Sequence, residues 1–140
     1  MATLYLSLGT NLGDRQSNLE TAISLIASRI GTVQAQSDII ETQPWGFESK
    51  NLFLNMAIKV QTGLEPLEVL QTTQAIEKEM GRTEKTGTQG YKDRIIDIDI
   101  LLYDNLVIDS PQLTIPHPHM YRRPFVMEPL AQIAPELTNL

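Results

Sequence analysis

At 140 residues, with 41% hydrophobic and 20% charged, the chain suits one domain with a real core. Its net charge of −6 argues against a nucleic-acid scaffold, which carries a basic patch, and the absence of cysteine excludes disulfides, thiolate nucleophiles and cysteine-ligated metals. No apolar run approaches the roughly 20 residues that span a bilayer. The N-terminus, Met1-Ala2-Thr3-Leu4-Tyr5, lacks the basic segment of a secretory signal. The expectation is a cytoplasmic protein with no membrane partner.

Thr3 to Leu8 alternates, which predicts a first strand with Leu4, Leu6 and Leu8 inward. Gly9-Thr10-Asn11-Leu12-Gly13-Asp14 follows as a strand-to-helix loop. It lacks the lysine of a phosphate-cradling loop, so a tight turn is favoured. Leu19, Ala22, Ile23, Ile26 and Ile30 recur at helical spacing and predict a helix from about Arg15 to Ile30, closed by Gly31. Val33 to about Thr42 reads as a second strand, and 43–50 as a loop with the only tryptophan, Trp45. A third strand, Leu52 to Gln61, puts Leu54, Met56, Ile58 and Val60 on one face. Phe53 and Asn55 lie on the other, as in a binding face for a flat ligand or an ordinary half-exposed strand.

Pro66 opens a second helix that ends before Gly81, with an expected buried stripe of Leu67, Leu70, Thr73, Ile76 and Met80. Gln74 and Glu77 continue the line of Leu70; such polar groups either face a wet cleft or snorkel at the stripe's edge. Residues 82–93 form a nearly apolar-free loop, too long to be idle in a small domain. Arg94 to Tyr103 is the central strand. Its Ile96, Ile98, Ile100 and Leu102 predict one apolar row, with Asp97 and Asp99 together on the opposite face. Leu106-Val107-Ile108 is expected to pair back as a hairpin. Leu113 to His119 is extended by its prolines, and a last helix begins near Pro124. The order strand-helix-strand-strand-helix-strand predicts an α+β, ferredoxin-like antiparallel sheet. Its helices would pack on one face, leaving Asp97, Asp99, Phe53 and Asn55 on the other, in a single domain over 1–140.

Asp97 and Asp99 stand about 7 Å apart by two strand steps of roughly 3.4 Å. Adjacent carboxylates repel unless a cation or solvent intervenes. Two Mg²⁺ ions about 3.5–4 Å apart would fit that span; a merely solvated strand face is the alternative. Arg82, Lys85, Lys92, Arg94, Arg122 and Arg123 supply cations, and Trp45, Phe53, Tyr91 and Phe125 supply aromatic faces. Divalent metal with arginines is the usual apparatus for phosphoryl transfer. His117, taken alone, reads as structural or surface rather than catalytic.

Together, Gly9-Thr10-Asn11-Leu12-Gly13, Asn55-Met56-Ala57, Gln74-Ala75-Ile76-Glu77 with Gly81-Arg82, Asp97-Ile98-Asp99-Ile100-Leu101, Ile115-Pro116-His117 and Arg123-Pro124-Phe125 resemble the 6-hydroxymethyl-7,8-dihydropterin pyrophosphokinase family. The resemblance reaches almost the whole chain. It implies a ferredoxin-like enzyme, working as a monomer, that transfers pyrophosphate from ATP to a pterin hydroxymethyl group, with Mg²⁺, releasing AMP in folate synthesis. By that resemblance Asp97 and Asp99 bind two Mg²⁺, Asp97 also being catalytic, and Arg82 and Arg94 stabilise the transferring group. Gln74, Glu77, Arg94, Ile100, Thr114, His117 and Arg123 match ATP-contacting positions. Thr42, Pro44, Trp45, Phe53, Asn55, Tyr91 and Phe125 match the pterin pocket. The chain departs from the family pattern at Lys92-Asp93, where Gly-Pro is usual, and at Tyr91, where tryptophan is common. It departs again at Glu84, which is basic in some members, and at Pro118 after His117. A non-catalytic ligand-binding module and a Mg²⁺ transferase with another acceptor are the rival readings.

Overall fold

A computed structural model describes residues 1–43, 52–81 and 95–138. Its main sheet is antiparallel and five-stranded. β1 (Ala2–Thr10) lies at its centre between β4 (Phe53–Thr62) and β5 (Asp97–Tyr103), and β2 (Gly31–Gln36) and β3 (Ile40–Thr42) pair with the far side of β4. Among the described residues β5 is therefore an edge strand. Two helices, α1 (Arg15–Arg29) and α2 (Pro66–Glu79), cross one face. The Leu4, Leu6 and Leu8 row packs there with Leu19, Ala22 and Ile26 of α1 and Val69 and Ile76 of α2. This is an α+β protein with an antiparallel sheet, as expected.

Local chemistry accounts for the boundaries. Asp14 caps α1, its Oδ1 accepting from Ser17 N at 3.1 Å. Pro66 opens α2, where a missing N–H costs nothing, and Glu68 Oε1 accepts from Glu65 N at 2.9 Å. Gly13 has φ +69°, the left-handed conformation that closes the turn before α1 at no steric cost.

Five expectations need correction. The strand over 33–42 is two strands, because Ser37 leaves the ladder and its Oγ accepts from Ala57 N at 2.8 Å in place of a backbone carbonyl. In α2 the expected Thr73 and Ile76 are buried and Leu70 and Met80 pack beside them, but Val69 and Glu77 are buried as well and Leu67 is 51% exposed. The apolar row of the central strand ends at Ile100. There the register steps from Leu6↔Ile100 to Tyr5↔Leu102, so Leu101 is an extra residue. Such a bulge reverses side-chain parity beyond it. Tyr103 accordingly joins the helix-side core, and Leu102 turns to the other face. The expected hairpin forms elsewhere: β6 (Ile108–Asp109) pairs with β7 (Thr114–Ile115) in a small separate sheet.

The fifth correction concerns the second face of the main sheet, which is not bare. α3 (Pro124–Ile133), followed by α4 (Pro135–Thr138), lies across it and buries Val126, Leu130 and Ala134 against Tyr5, Ala57 and Leu101. Asp38 N donates to Gln132 Oε1 at 2.7 Å and ties α3 to the break between β2 and β3. What remains open on this face is the end carrying Gly9, Asn55 and Asp97.

Candidate active site

Residues paired across antiparallel strands share a face. Asn55↔Gly9↔Asp97 forms one row across β4, β1 and β5, and Ala57↔Ser7↔Asp99 the next. The strands thus bring both carboxylates to the same side, separated from Asn55 only by a glycine. Phe53 lies two residues before Asn55 on the same face, opposite Thr42 of β3. Asn55 Nδ2 donates to Thr42 Oγ1 at 2.7 Å, which orients the buried amide. An ideal Cβ on Gly9 would stand 3.1 Å from Asn55 Oδ1 and 3.5 Å from Phe53 Cδ1, so the missing side chain leaves these two in place.

These residues form a cavity lined by Ser7, Gly9, Thr42, Phe53, Asn55, Asp97, Asp99, Arg123 and Phe125. Its wall from α3 is Phe125, with the Arg123 guanidinium carbon 5.8 Å from the ring centroid. Arg123 is buried and sits in the same cavity as the two carboxylates, which places a cation there and offsets their repulsion. By resemblance Arg123 matches an ATP-contacting position, and in the structure it lines this first cavity.

A second cavity lies along the sheet's open edge, lined by Leu70, Asp99, Ile100, Ser110, Gln112, Thr114 and His117 among others. Asp99 borders both cavities. His117 N donates to Leu101 O at 3.1 Å, so the bulged strand positions this histidine. Burial first, and then the Arg123 charge, lower its pKa from 6.5 to about 4, so the ring is neutral near pH 7. Its Nδ1 accepts from His119 N at 3.2 Å, leaving the proton of the neutral ring on Nε2.

The structure divides the remaining expectations. Ile100, Thr114 and His117 gather at the second cavity, and Thr42, Phe53, Asn55 and Phe125 at the first. Gln74 is exposed on α2. Glu77 is buried and neither snorkels nor faces a wet cleft: its Oε2 accepts from Ile98 N at 2.8 Å, capping the outer edge of β5 between the two aspartates. Pro44, Trp45, Arg82, Tyr91 and Arg94 lie outside the described residues, as does the 82–93 loop. Sequence reasoning missed Ser7 and Gly9 as cavity floor. The signal was present in their parity, since they alternate with the inward leucines of β1.

The donor set fits Mg²⁺. Among the described residues no three His, Asp or Glu side chains cluster as an all-protein cage. A hard, well-hydrated cation held by one or two carboxylates together with substrate phosphates needs no more than Asp97 and Asp99.

The family model described as 7,8-dihydro-6-hydroxymethylpterin-pyrophosphokinase (HPPK) matches residues 5–135. The 2-amino-4-hydroxy-6-hydroxymethyldihydropteridine pyrophosphokinase of Porphyromonas gingivalis is 49% identical over 138 residues, covering 98% of this chain and 94% of that one. The enzyme of the same name from Bacillus subtilis is 43% identical over 134 residues, covering 95% and 78%. Wild-type Plasmodium falciparum HPPK-DHPS with pteroate superposes with a TM-score of 0.75 at 20% identity, over 93% of this chain and 38% of that one. An HPPK-DHPS in complex with substrates gives 0.74 at 18%, over 96% and 40%. This chain spans about two fifths of those longer HPPK-DHPS chains, and at such identities their likeness concerns the fold alone. With a family model spanning nearly the full length and relatives above 40% identity, the chain belongs to the 7,8-dihydro-6-hydroxymethylpterin-pyrophosphokinase family.

Proposed function

We propose that the chain transfers pyrophosphate from ATP to the hydroxymethyl group of 6-hydroxymethyl-7,8-dihydropterin, releasing AMP, as a step of folate synthesis. One observation carries this reading. Asp99 borders both a cavity lined by two aromatic rings and an amide, a lining suited to a flat heterocycle, and an edge cavity beside a neutral imidazole. Two substrates seated in those cavities would meet at the carboxylate pair, where proximity is worth most.

The heterocycle would lie against Phe53 and Phe125, with Asn55 reading its edge from an orientation fixed by Thr42. Pro44, Trp45 and Tyr91 complete that set by similarity, and Arg82 and Arg94 the set around the transferring group. In the transfer, the hydroxymethyl oxygen bonds to the β-phosphorus, and the bond from that phosphorus to the oxygen bridging to the α-phosphate breaks. AMP leaves with the bridging oxygen. The hydroxyl proton passes to Asp97 or to solvent beside it. Asp97 and Asp99 would hold two Mg²⁺ ions, which supply Lewis-acid stabilisation of phosphate charge. The His117 Nε2–H and Thr114 are donors suited to phosphate or ribose oxygens along the edge cavity. Arg123, buried beside Phe125 in the first cavity, would act on that cavity directly and on His117 of the second through its charge.

The order of β1, α1, β2, β4, α2 and β5, with sheet order β2-β4-β1-β5, supports the ferredoxin-like reading. Cores on both sides of one sheet support a single domain acting as a monomer. The test is incubation with ATP, Mg²⁺ and the dihydropterin. AMP in step with pterin diphosphate is expected. ADP, or AMP formed equally without the pterin, would overturn the reading.

A further inference from the structure

We propose that Arg15 is a positioning residue for the pterin pocket. From behind the sheet it locks the register of β3 against β4, the pairing that turns Thr42, Phe53 and Asn55 toward the ligand. The inference rests on the functional reading above and assigns a residue that the cavity does not itself reveal.

β3 has three residues and, among the described residues, pairs with β4 alone, through Ile40↔Asn55, Glu41↔Leu54 and Thr42↔Phe53. So short an edge strand specifies its register weakly, and a slip of one residue would reverse every side chain. Thr42 would then leave the pocket and release the Asn55 amide. Glu41 and Leu54, being paired, lie on the opposite face from Thr42, and Leu54 packs into the helix-side core. On that side one nitrogen, Arg15 Nη1, bridges the two strands. It lies 2.8 Å from Glu41 Oε2 and donates to Leu52 O at 2.9 Å, engaging the chain just before the end of β3 and just before the start of β4. This nitrogen carries two hydrogens, one for each acceptor.

The bridge has a fixed base. Arg15 is the first residue of α1, which is seated in the core by Leu19, Ala22 and Ile26. The position is electrostatically wrong for an arginine in a helix considered by itself. The first turn of α1 has no acidic residue, and a cation there opposes the helix dipole. A contact outside the helix accounts for the placement, and Glu41 and Leu52 are that contact.

The experiment compares wild type with Arg15→Ala, Arg15→Lys and Glu41→Gln in the full chain. Its readouts are pterin binding by fluorescence with a non-hydrolysable ATP analogue present, binding of the analogue alone, and thermal melting. Arg15→Ala is expected to weaken pterin binding about tenfold, because small displacements of positioning groups are costly, and to leave analogue binding within about twofold. Arg15→Lys keeps the charge but on a differently shaped, shorter group and falls between the two, while Glu41→Gln gives a smaller loss than Arg15→Ala. Unchanged pterin binding by a folded Arg15→Ala, or equal losses for both ligands, would overturn the proposal, since a purely stabilising contact lowers only the melting temperature. If Arg15→Ala fails to fold, the same comparison is read from Arg15→Lys and Glu41→Gln. Wild type that binds no pterin and forms no AMP would defeat the functional reading itself, an outcome distinct from intact wild type with indifferent variants.

Discussion

Glu77 offers the sharpest test of how the helix layer supports the site. Its buried carboxylate accepts the Ile98 amide at 2.8 Å, on the outer edge of β5 and between the two aspartates. Truncation in Glu77→Ala strands that N–H in a dry place. A hydrogen bond to a charged group is worth about 1.5–3 kcal/mol, and an orphaned buried donor costs about 1–3 kcal/mol. Losing the carboxylate also removes its own desolvation cost, so a net loss near 2 kcal/mol is the balanced figure. For a chain of this size that corresponds to a fall in melting temperature of about 5–8 °C. Glu77→Gln keeps an acceptor in nearly the same place and should lose less than half as much. The discriminating measurement pairs melting with Mg²⁺-dependent AMP formation: Glu77→Ala should lose activity beyond its loss of folded protein, because the segment holding Asp97 and Asp99 is released. Equal melting temperatures for the Ala and Gln variants would show that the bond to Ile98 is not what Glu77 provides.

Asp97→Ala and Asp99→Ala should each abolish Mg²⁺-dependent AMP formation while leaving the melting temperature within a few degrees; near-normal turnover in either would remove the carboxylate pair from the mechanism. Gly9→Ala puts a methyl 3.1 Å from Asn55 Oδ1, so pterin affinity should drop at least severalfold with binding of an ATP analogue unchanged, as titration of each ligand would report. Folding lowers the His117 pKa from 6.5 to about 4, so between those values the unfolded chain takes up a proton that the folded chain refuses. Stability from this group therefore falls as pH drops through that window and levels off below it. Melting curves of His117→Asn without ligands should be flatter over the same range, and an identical pH dependence would refute the assignment.

The sequence was most legible where one face of an element is wholly apolar. Leu4, Leu6 and Leu8 alternate without exception and lie fully buried, and Asp97 and Asp99 take the opposite parity from Ile96, Ile98 and Ile100, as they do in the fold. Legibility failed where the outcome depends on a partner strand. Nothing in Ile100-Leu101-Leu102-Tyr103 marks which leucine is extra; that is set by Tyr5 and Leu6 across the ladder. In the α2 stripe only Leu67 fails, because Leu67 and Val69 are equally apolar and only docking on the sheet decides between them. Arg15 was passed over because an isolated cation at a helix start has no periodicity to betray it.

The bulge at Leu101 lies where one short strand borders both cavities. Before it, β5 obeys strict alternation and presents Asp97 and Asp99 to the first cavity. At it, the extra residue packs Leu101 into the core under α3 while the Leu101 carbonyl accepts the His117 amide, bringing the segment after β7 alongside the edge cavity. A regular strand would keep Leu102 with the helix-side row and Tyr103 with the face under α3. It would then lose the Tyr103 hydroxyl's bond to Leu64 O at 2.6 Å, which ties β5 to the turn before α2. Bulges beside active sites re-aim the side chains downstream of them. Here the redirected side chains are Leu102 and Tyr103, which enter the two cores, and the carboxylates just upstream remain in register with Gly9 and Ser7.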